Sequence, residues 1–516
     1  MRYLLFQSPG NFSNALANKL RAVYSLLKMK NIGRGWYWLS YLLVGLGFLL
    51  RIVVWLQQRS IISDEAALLR NYGERTYGQL FQNLDYEQYA PPLFSVAVKA
   101  SVQAFGNNEL AARLFPLLCS LATLVLFRRL AQRWLPPVFA CLALCFVAFG
   151  AVFIDYATEC KQYATDGLVV LGLLEIAHQV GRRPLNGRRA LLLAGLGAVA
   201  VWLSMAAVFA LAGIGPWLLV RSLRAKDHRA TARVVAIGVG WLASFSVYFF
   251  LLLKTNAESA YLQNYHHDYF LAFPPLSGPA LRLLGTQLQL IADRAIGKTV
   301  LAIALAAIGF AVGAWQLLRQ RNELFWLALG PIVACLAASA LRYYSLAPRL
   351  MLFFLPLVIL TVCVGLAGLA ERPVPRAIIL ILLVVVLGEH QRLRNLFVPY
   401  YGDYGEIRDG LAYISWHQQA GEVALMNRDV APVVRYYLRE HRPPLALKSV
   451  LLQERDGGPT GSLQDAIVQL RQQGTRRVWL LYDRDDDSIS LFAATQGQVL
   501  QRYNFQRGYV LLLEFK

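Results

Sequence analysis

Long apolar runs separated by short charged loops dominate this sequence, and a run of about 20 apolar residues is what an α-helix needs to cross a bilayer. Windows of that kind lie at 36–56, 113–131, 136–154, 163–180, 190–203, 205–220, 234–253, 298–318, 323–340, 350–369 and 376–389. They predict a mainly α, polytopic transmembrane helical bundle of about eleven spans. Composition agrees, because 57% hydrophobic against 16% charged residues describes a chain that lipid solvates better than water does.

The formal charge of +20 could suggest nucleic acid, but the Lys and Arg residues fall in short clusters between apolar runs, as they do where charge fixes topology. No nucleic-acid partner is expected. Arg128, Arg129 and Arg133 follow the second window, Arg182, Arg183, Arg188 and Arg189 the fourth, and Arg221, Arg224, Lys226 and Arg229 the sixth. Arg319 and Arg321 follow the eighth, and Arg372 and Arg376 the tenth. Every second loop is basic, which predicts a cytoplasmic N-terminal segment, 1–35, and an external C-terminal domain, 390–516, flanking a transmembrane domain, 36–389. The N-terminal segment carries Lys19, Arg21, Lys28, Lys30 and Arg34 and reads as uncleaved.

The alternate loops are longer, mixed in charge and aromatic, chiefly 57–112 and 254–296. Within the first, APPLFSVAVKASVQAFG is too short and polar to span, and reads as an interfacial helix with Lys99 and Gln103 on one face. Beyond Glu389, helix and strand alternate: EIRDGLAYISWHQQAG helix, VALMN strand, APVVRYYLREH helix, LQDAIVQLRQQG helix, RRVWLLYDR strand, and a closing antiparallel pair in the tail. This is a soluble α/β domain. DRDDDS at 483–488 lacks the Gly and distal Glu of a calcium loop and reads as a solvated turn. The cysteines show no metal spacing, and Cys141 with Cys145 reads as small apolar residues on one helix face.

Several residues could carry chemistry. Asp64 and Glu65 follow the first span, where a carboxylate meets the headgroup region and could take a proton from a hydroxyl. Alternatively Ser63 or Asp64 simply caps the helix that begins there. Glu159, Lys161 and Asp166 crowd the turn before the fourth span, as a site or as a neutralising set. Lys99, Arg113, Lys161, Arg342 and Arg349 are cations from different segments, suited to a common phosphate or to snorkelling at the interface. Tyr265, His266, His267 and Asp268 form an aromatic loop that reads as acceptor-facing or structural; a divalent metal there is conceivable but not indicated.

Taken in order, these segments resemble the bacterial GT-C glycosyltransferases of the protein O-mannosyltransferase and aminoarabinose transferase superfamily. The resemblance rests on Asp64 and Glu65 after the first span, on APPLFSVAVKASVQAFGNNELAARL ending in Arg113, on YATECKQYATD, and on YYSLAPRLMLFFLPL. EIRDGLAYISWHQQAGEVALMN is similar to the periplasmic domain of prokaryotic members. The resemblance implies a multi-pass inner-membrane enzyme whose donor is a polyprenyl-phosphate-linked sugar and whose acceptor is a lipid, glycan or protein; the sequence itself demands no bound metal. Asp64 would activate the acceptor hydroxyl with Glu65 in support. Lys99, Arg113, Lys161 and Arg349 would receive the lipid phosphate, Glu159 or Asp166 would orient the sugar or Lys161, and the product would be inverted at the anomeric carbon. A transporter or flippase of lipid-linked saccharides, or a non-catalytic scaffold, is the competing expectation.

Overall fold

The computed structural model describes residues 35–320, 322–371, 373–390, 406–426, 430–439, 448–451, 458–482, 487–505 and 508–515. The expectation for segment 1–35 therefore lies almost wholly outside the described residues. Every apolar window holds a helix. The first is α1, Gly35–Leu56. The loop after it folds into α2, Ser63–Glu74, and α3, Pro92–Phe105. Then follow α4, Glu109–Trp134, α5, Pro137–Phe149, the short α6, Ala151–Asp155, α7, Tyr163–Gly181, α8, Gly187–Leu203, α9, Ala207–Arg224, and α10, His228–Tyr248. A π-helical turn, Phe249–Leu253, carries α10 into α11, Lys254–Ala257, and α12, Ala260–Tyr265. The bundle ends with α13, Gly278–Ala295, α14, Val300–Gln320, α15, Asn322–Ala340, α16, Leu355–Leu369, and α17, Pro373–His390.

Among the described residues, six helices are long and apolar enough to cross a membrane by length and composition: α1, α4, α9, α10 with its π turn, α14 and α15. Other windows yield shorter helices for identifiable reasons. The third breaks at Gly150, which ends α5 and restarts the chain as α6. The tenth starts late, because Pro348 to Phe354 form turns ahead of Pro356, and α16 begins only at Leu355. A charge inside α1 is also accounted for. Arg51, 1% exposed, donates to Ser120 Oγ and to the Gly47, Val147 and Ala148 carbonyls, the last two at the C-terminal end of α5.

The C-terminal domain contains α18, Ile407–His417, β1, Val423–Met426, α19, Ala431–Arg439, β2, Lys448–Leu451, α20, Gly458–Gln472, β3, Arg477–Tyr482, α21, Asp487–Gln496, β4, Gly497–Phe505, and β5, Gly508–Phe515. Its sheet runs β2-β1-β3-β5-β4, with β1 parallel to β2 and β3, and β5 antiparallel to β3 and β4. The helices and strands expected from sequence are present, and β2 and α21 are additions. The expected turn at 483–488 falls mostly outside the described residues, and its last two residues open α21.

Alternation along β3 divides its side chains between two cores. Val478 and Leu480 pack with Leu463 and Ile467 of α20, whereas Trp479 and Leu481 join Leu411 of α18, Val433 of α19, Leu68 and Leu69 of α2, and Phe94 of α3. The second core is continuous between the domain and the loop that follows α1. Polar contacts reinforce it. Glu406 accepts from the Ser60 amide and hydroxyl, both at 2.9 Å, and the Tyr437 hydroxyl accepts from the Ile61 amide at 2.9 Å while donating to Glu109 at 2.9 Å.

Within the bundle, α14 and α16 touch backbone to backbone. A Cβ added to Gly365 would lie 2.0 Å from the Gly309 carbonyl oxygen, and one added to Gly313 would lie 1.9 Å from that of Thr361. Small residues of this kind let membrane helices approach closely. Gly365→Ala is therefore expected to cost about 1–3 kcal/mol through forced separation of the two helices, read as a lowered unfolding temperature of the purified protein in detergent.

Candidate functional site

The start of α2 does not bear out the capping reading of Asp64. The N-cap position is Ile62, neither Ser63 nor Asp64, and its amide donates to Glu65 Oε2 at 3.2 Å. Glu65, three residues into the turn, thus takes the capping duty. Asp64 belongs to the first helical turn, where the helix dipole favours a carboxylate, and its side chain points elsewhere.

Glu65 is completely buried and bound on all sides. Oε1 accepts from Arg113 Nε at 2.8 Å and from the Cys160 amide at 2.6 Å, and Oε2 accepts from Arg113 Nη2 at 2.6 Å. Arg113 spends its other bonds on the Arg59 and Ser60 carbonyls, at 2.7 and 2.9 Å. Burial alone would push the Glu65 carboxyl up, but the charge and hydrogen bonds of Arg113 bring it down to about 2. Arg113, 2% exposed, is thereby committed to Glu65 and the backbone, and the structure does not bring it to a position facing Asp64.

The cluster around Asp64 forms from four segments. Lys161 Nζ lies 3.7 Å and Arg349 Nη1 3.5 Å from Asp64 Oδ2, and Lys161 donates at 2.8 Å to the Gln88 amide oxygen. Lys161 first, then Arg349 with the Gln88 amide assisting, hold the half-buried Asp64 carboxyl below its usual range despite the opposing effect of desolvation. Glu159, 2% exposed, sits beside this group, and burial pushes its carboxyl up to about 7, with Arg59 the main offset. Among the described residues no hydrogen bond reaches that carboxylate.

Gln88 escaped the sequence reading, since a single Gln in DYEQYAPP carries no charge signal. Its placement has a local cause: Tyr86 and Glu87 both adopt positive φ, 63° and 54°, turning the chain so that Gln88 meets Lys161. Two consecutive non-glycine residues in the left-handed region are costly, and such strain gathers at functional sites.

Other expected site residues lie elsewhere. Lys99 is buried and donates to the Tyr72 and Arg75 carbonyls at 2.5 and 2.7 Å, closing the C-terminal end of α2. Asp166 accepts from Ser204 Oγ at 2.6 Å and from the Ala206 amide, tying α7 to the start of α9. Of the two acids left open from sequence, the structure brings Glu159 to the cluster. Tyr265 and His266 lie within electrostatic range of Arg349. Burial, with Arg349, lowers His266 to about 4, so its ring is neutral near pH 7. His267 and Asp268 pair with each other at 3.2 Å and are 60% and 86% exposed, apart from the cluster. Among the described residues no group of three or more His, Cys, Asp or Glu is arranged to hold a metal ion.

A cavity of about 620 Å³ adjoins the cluster. Glu87, Gln162 and Leu350, the chain neighbours of Gln88, Lys161 and Arg349, line it together with Tyr163, His266 and Arg342. Its remaining wall is largely apolar and runs down α9 and α10 through Phe209, Phe245, Phe249 and Leu253. The π turn displaces Phe249 and Leu253 from regular helical register, and both face this space. The arrangement can seat a molecule with an anionic head at the cations and an apolar tail along the helices.

No family model and no curated protein matches the sequence. In structure, the chain is similar to ArnT from Cupriavidus metallidurans bound to undecaprenyl phosphate, at 15% identity and a TM-score of 0.49, covering 92% of this chain and 97% of that one. The apo state of the same protein aligns at 18% identity and 0.41, covering 93% and 98%. Archaeal oligosaccharyltransferase AglB from Archaeoglobus fulgidus, in complex with an inhibitory peptide and a dolichol-phosphate, aligns at 8% identity and 0.48, covering 86% and 69%.

The two neighbouring carboxylates should respond differently to substitution. Arg113→Met leaves Glu65 buried without its partner, a loss of about 3–5 kcal/mol, visible as a marked fall in thermal stability in detergent. Asp64→Asn removes only long, partly solvated contacts, and its unfolding temperature should stay close to that of the unmodified protein.

Proposed function

We propose that this protein is a membrane glycosyltransferase that moves a sugar from a polyprenyl phosphate carrier to an acceptor hydroxyl, on the side of the membrane bearing the C-terminal domain. The observation that carries this reading is Asp64 flanked by Lys161 and Arg349 from distant segments, beside a cavity with polar mouth and apolar wall. The positive-inside pattern of the loops supports an orientation with that side outside the cell membrane and the N-terminal segment in the cytoplasm.

In the reaction, the Asp64 carboxylate accepts the acceptor's hydroxyl proton as the oxygen bonds to the anomeric carbon. The bond between that carbon and the phosphate oxygen breaks, and the polyprenyl phosphate departs with one further negative charge. Lys161 and Arg349 stabilise that developing charge. Direct displacement by the acceptor oxygen, with a single carboxylate serving only as base, inverts the anomeric centre. The ion pairs to Asp64 are well longer than the 2.7–2.9 Å typical of tight charge-assisted bonds, so both cations can turn to an arriving phosphate. As they do, Asp64 loses the partners that depress its basicity and becomes the better base. Glu159, half protonated near neutrality, can both donate to and accept from sugar hydroxyls.

Incubation of purified protein with a panel of polyprenyl-phosphate sugars, followed by mass spectrometry of sugar loss from the carrier, tests the reading. Turnover should drop by roughly 10²–10⁴ in Asp64→Asn and Asp64→Ala; unchanged activity in both would leave a flippase or scaffold as the surviving explanation.

The pH profile supplies an independent check. Because Asp64 in the free protein is held below the ordinary carboxylate range, its deprotonated form persists into acid, and the loss of kcat/KM from its protonation belongs below that range. A second inflection should occur near 7 from Glu159, and Glu159→Gln should erase it. Lys161→Gln should move the acid limb upward, since the foremost cause of the Asp64 depression is gone.

A further inference from the structure

A second cavity, of about 560 Å³, lies where α2 and α3 meet α19. Its charged lining comprises Arg70, Glu74, Lys99, Arg435 and Arg439, with Gln103 among the polar residues beside them. At about 100° per residue along a helix, Gly73 and Arg70 of this lining project from the face of α2 away from Asp64, so the helix itself separates the two spaces. The mechanism above uses none of these residues.

The charges here do not balance. Glu74 Oε1 is shared by Arg70 Nε at 2.9 Å and Arg439 Nη1 at 3.4 Å, while Glu74 Oε2 accepts from the Tyr86 hydroxyl at 3.0 Å. Arg435, exposed on the same wall, has no ion pair or hydrogen bond among the described residues. Two guanidinium groups therefore share one carboxylate, and a third stands on the same wall with no carboxylate of its own. Lys99 adds positive field from below, although its own hydrogen bonds go to the Tyr72 and Arg75 carbonyls. Like charges are gathered against their mutual repulsion only where something offsets it. The Tyr86 ring under the Arg70 guanidinium, 4.2 Å away, offsets a little. A multivalent anion would offset most of it.

We propose that this cavity binds a phosphate-bearing ligand. A phosphate group offers several acceptor oxygens to forked guanidinium donors, where Glu74 now offers a single shared one. Arg435 and Arg439 belong to the C-terminal domain and Arg70 to α2, so the bound phosphate bridges the domain to the bundle. The phosphate can come from a soluble sugar phosphate or from an anionic lipid headgroup, and the chemistry of recognition is the same.

Full-length protein is titrated with glucose 1-phosphate in neutral detergent, and separately reconstituted in nanodiscs of phosphatidylglycerol or of phosphatidylcholine, with thermal unfolding followed in each. Stabilisation by glucose 1-phosphate assigns a soluble phosphate; stabilisation confined to phosphatidylglycerol assigns a headgroup. In either case the double variant Arg435→Gln, Arg439→Gln should lose at least tenfold in apparent affinity. The double Lys variant should retain part of it, and Asp64→Asn should respond as the unmodified protein does. Both Gln replacements sit at exposed positions, and an unchanged unfolding temperature without ligand confirms that the fold persists. No stabilisation by any of the probes, or an equal response in the double Gln variant, overturns the proposal.

Discussion

The buried ion pair between Glu65 and Arg113 is the contact from which the site's geometry follows. Withdrawing two charges from water costs several kcal/mol each, and only saturation with partners makes the pair tolerable. Saturation is what fixes the surroundings. Arg113 grips the carbonyls of Arg59 and Ser60, and Glu65 grips the amides of Ile62 and Cys160. The segment leading into α2 and the turn carrying Glu159 and Lys161 are thereby fastened to one side chain of α4. Asp64, one residue from this knot, inherits a fixed position without contributing to it.

The C-terminal domain holds the same segment from the other side. Glu406 binds Ser60, and Tyr437 binds Ile61 while contacting Glu109 of α4. Arg408 reaches Glu109 as well, at 3.0 Å. The domain is thus more than an appendage, since it completes the shell around the four residues that precede α2. Arg349 depends on a different support. It sits in the turns between Pro348 and Pro356, just ahead of α16, a helix packed backbone to backbone on α14 through Gly365.

Hydrophobic periodicity made the helices and most strands legible, because burial in lipid or in a sheet core writes directly on sequence. Breaks such as Gly150 and the late start of α16 were less visible, being backbone effects inside runs that stay apolar. β2, only four residues long, and α21 lacked enough pattern to register. At the site, the acidic pair after the first span stood out, but the division of labour inside it did not. Which of two adjacent carboxylates caps a helix depends on rotamers and on where Arg113 arrives, and neither is local information. Lys99 and Arg113 looked like phosphate ligands for the same reason that Lys161 and Arg349 did: a cation in an aromatic loop. Only packing reveals that Lys99 closes α2 and Arg113 neutralises Glu65. Gln88 was illegible altogether, since it reaches Lys161 through a left-handed turn at Tyr86 and Glu87 that no residue type there advertises.

The size of the apolar cavity bears on carrier choice under the proposed reading. At about 620 Å³ it lies in the ordinary range for a small-molecule pocket. Such a space accommodates a phosphate and the first isoprene units of a long carrier, and the rest of the chain must leave between helices into the surrounding lipid. Discrimination among carriers then falls on the geometry of the first double bonds near Phe209 and Phe249, and total chain length goes largely unmeasured. Truncated carriers should serve in place of native ones, provided that their leading units are intact.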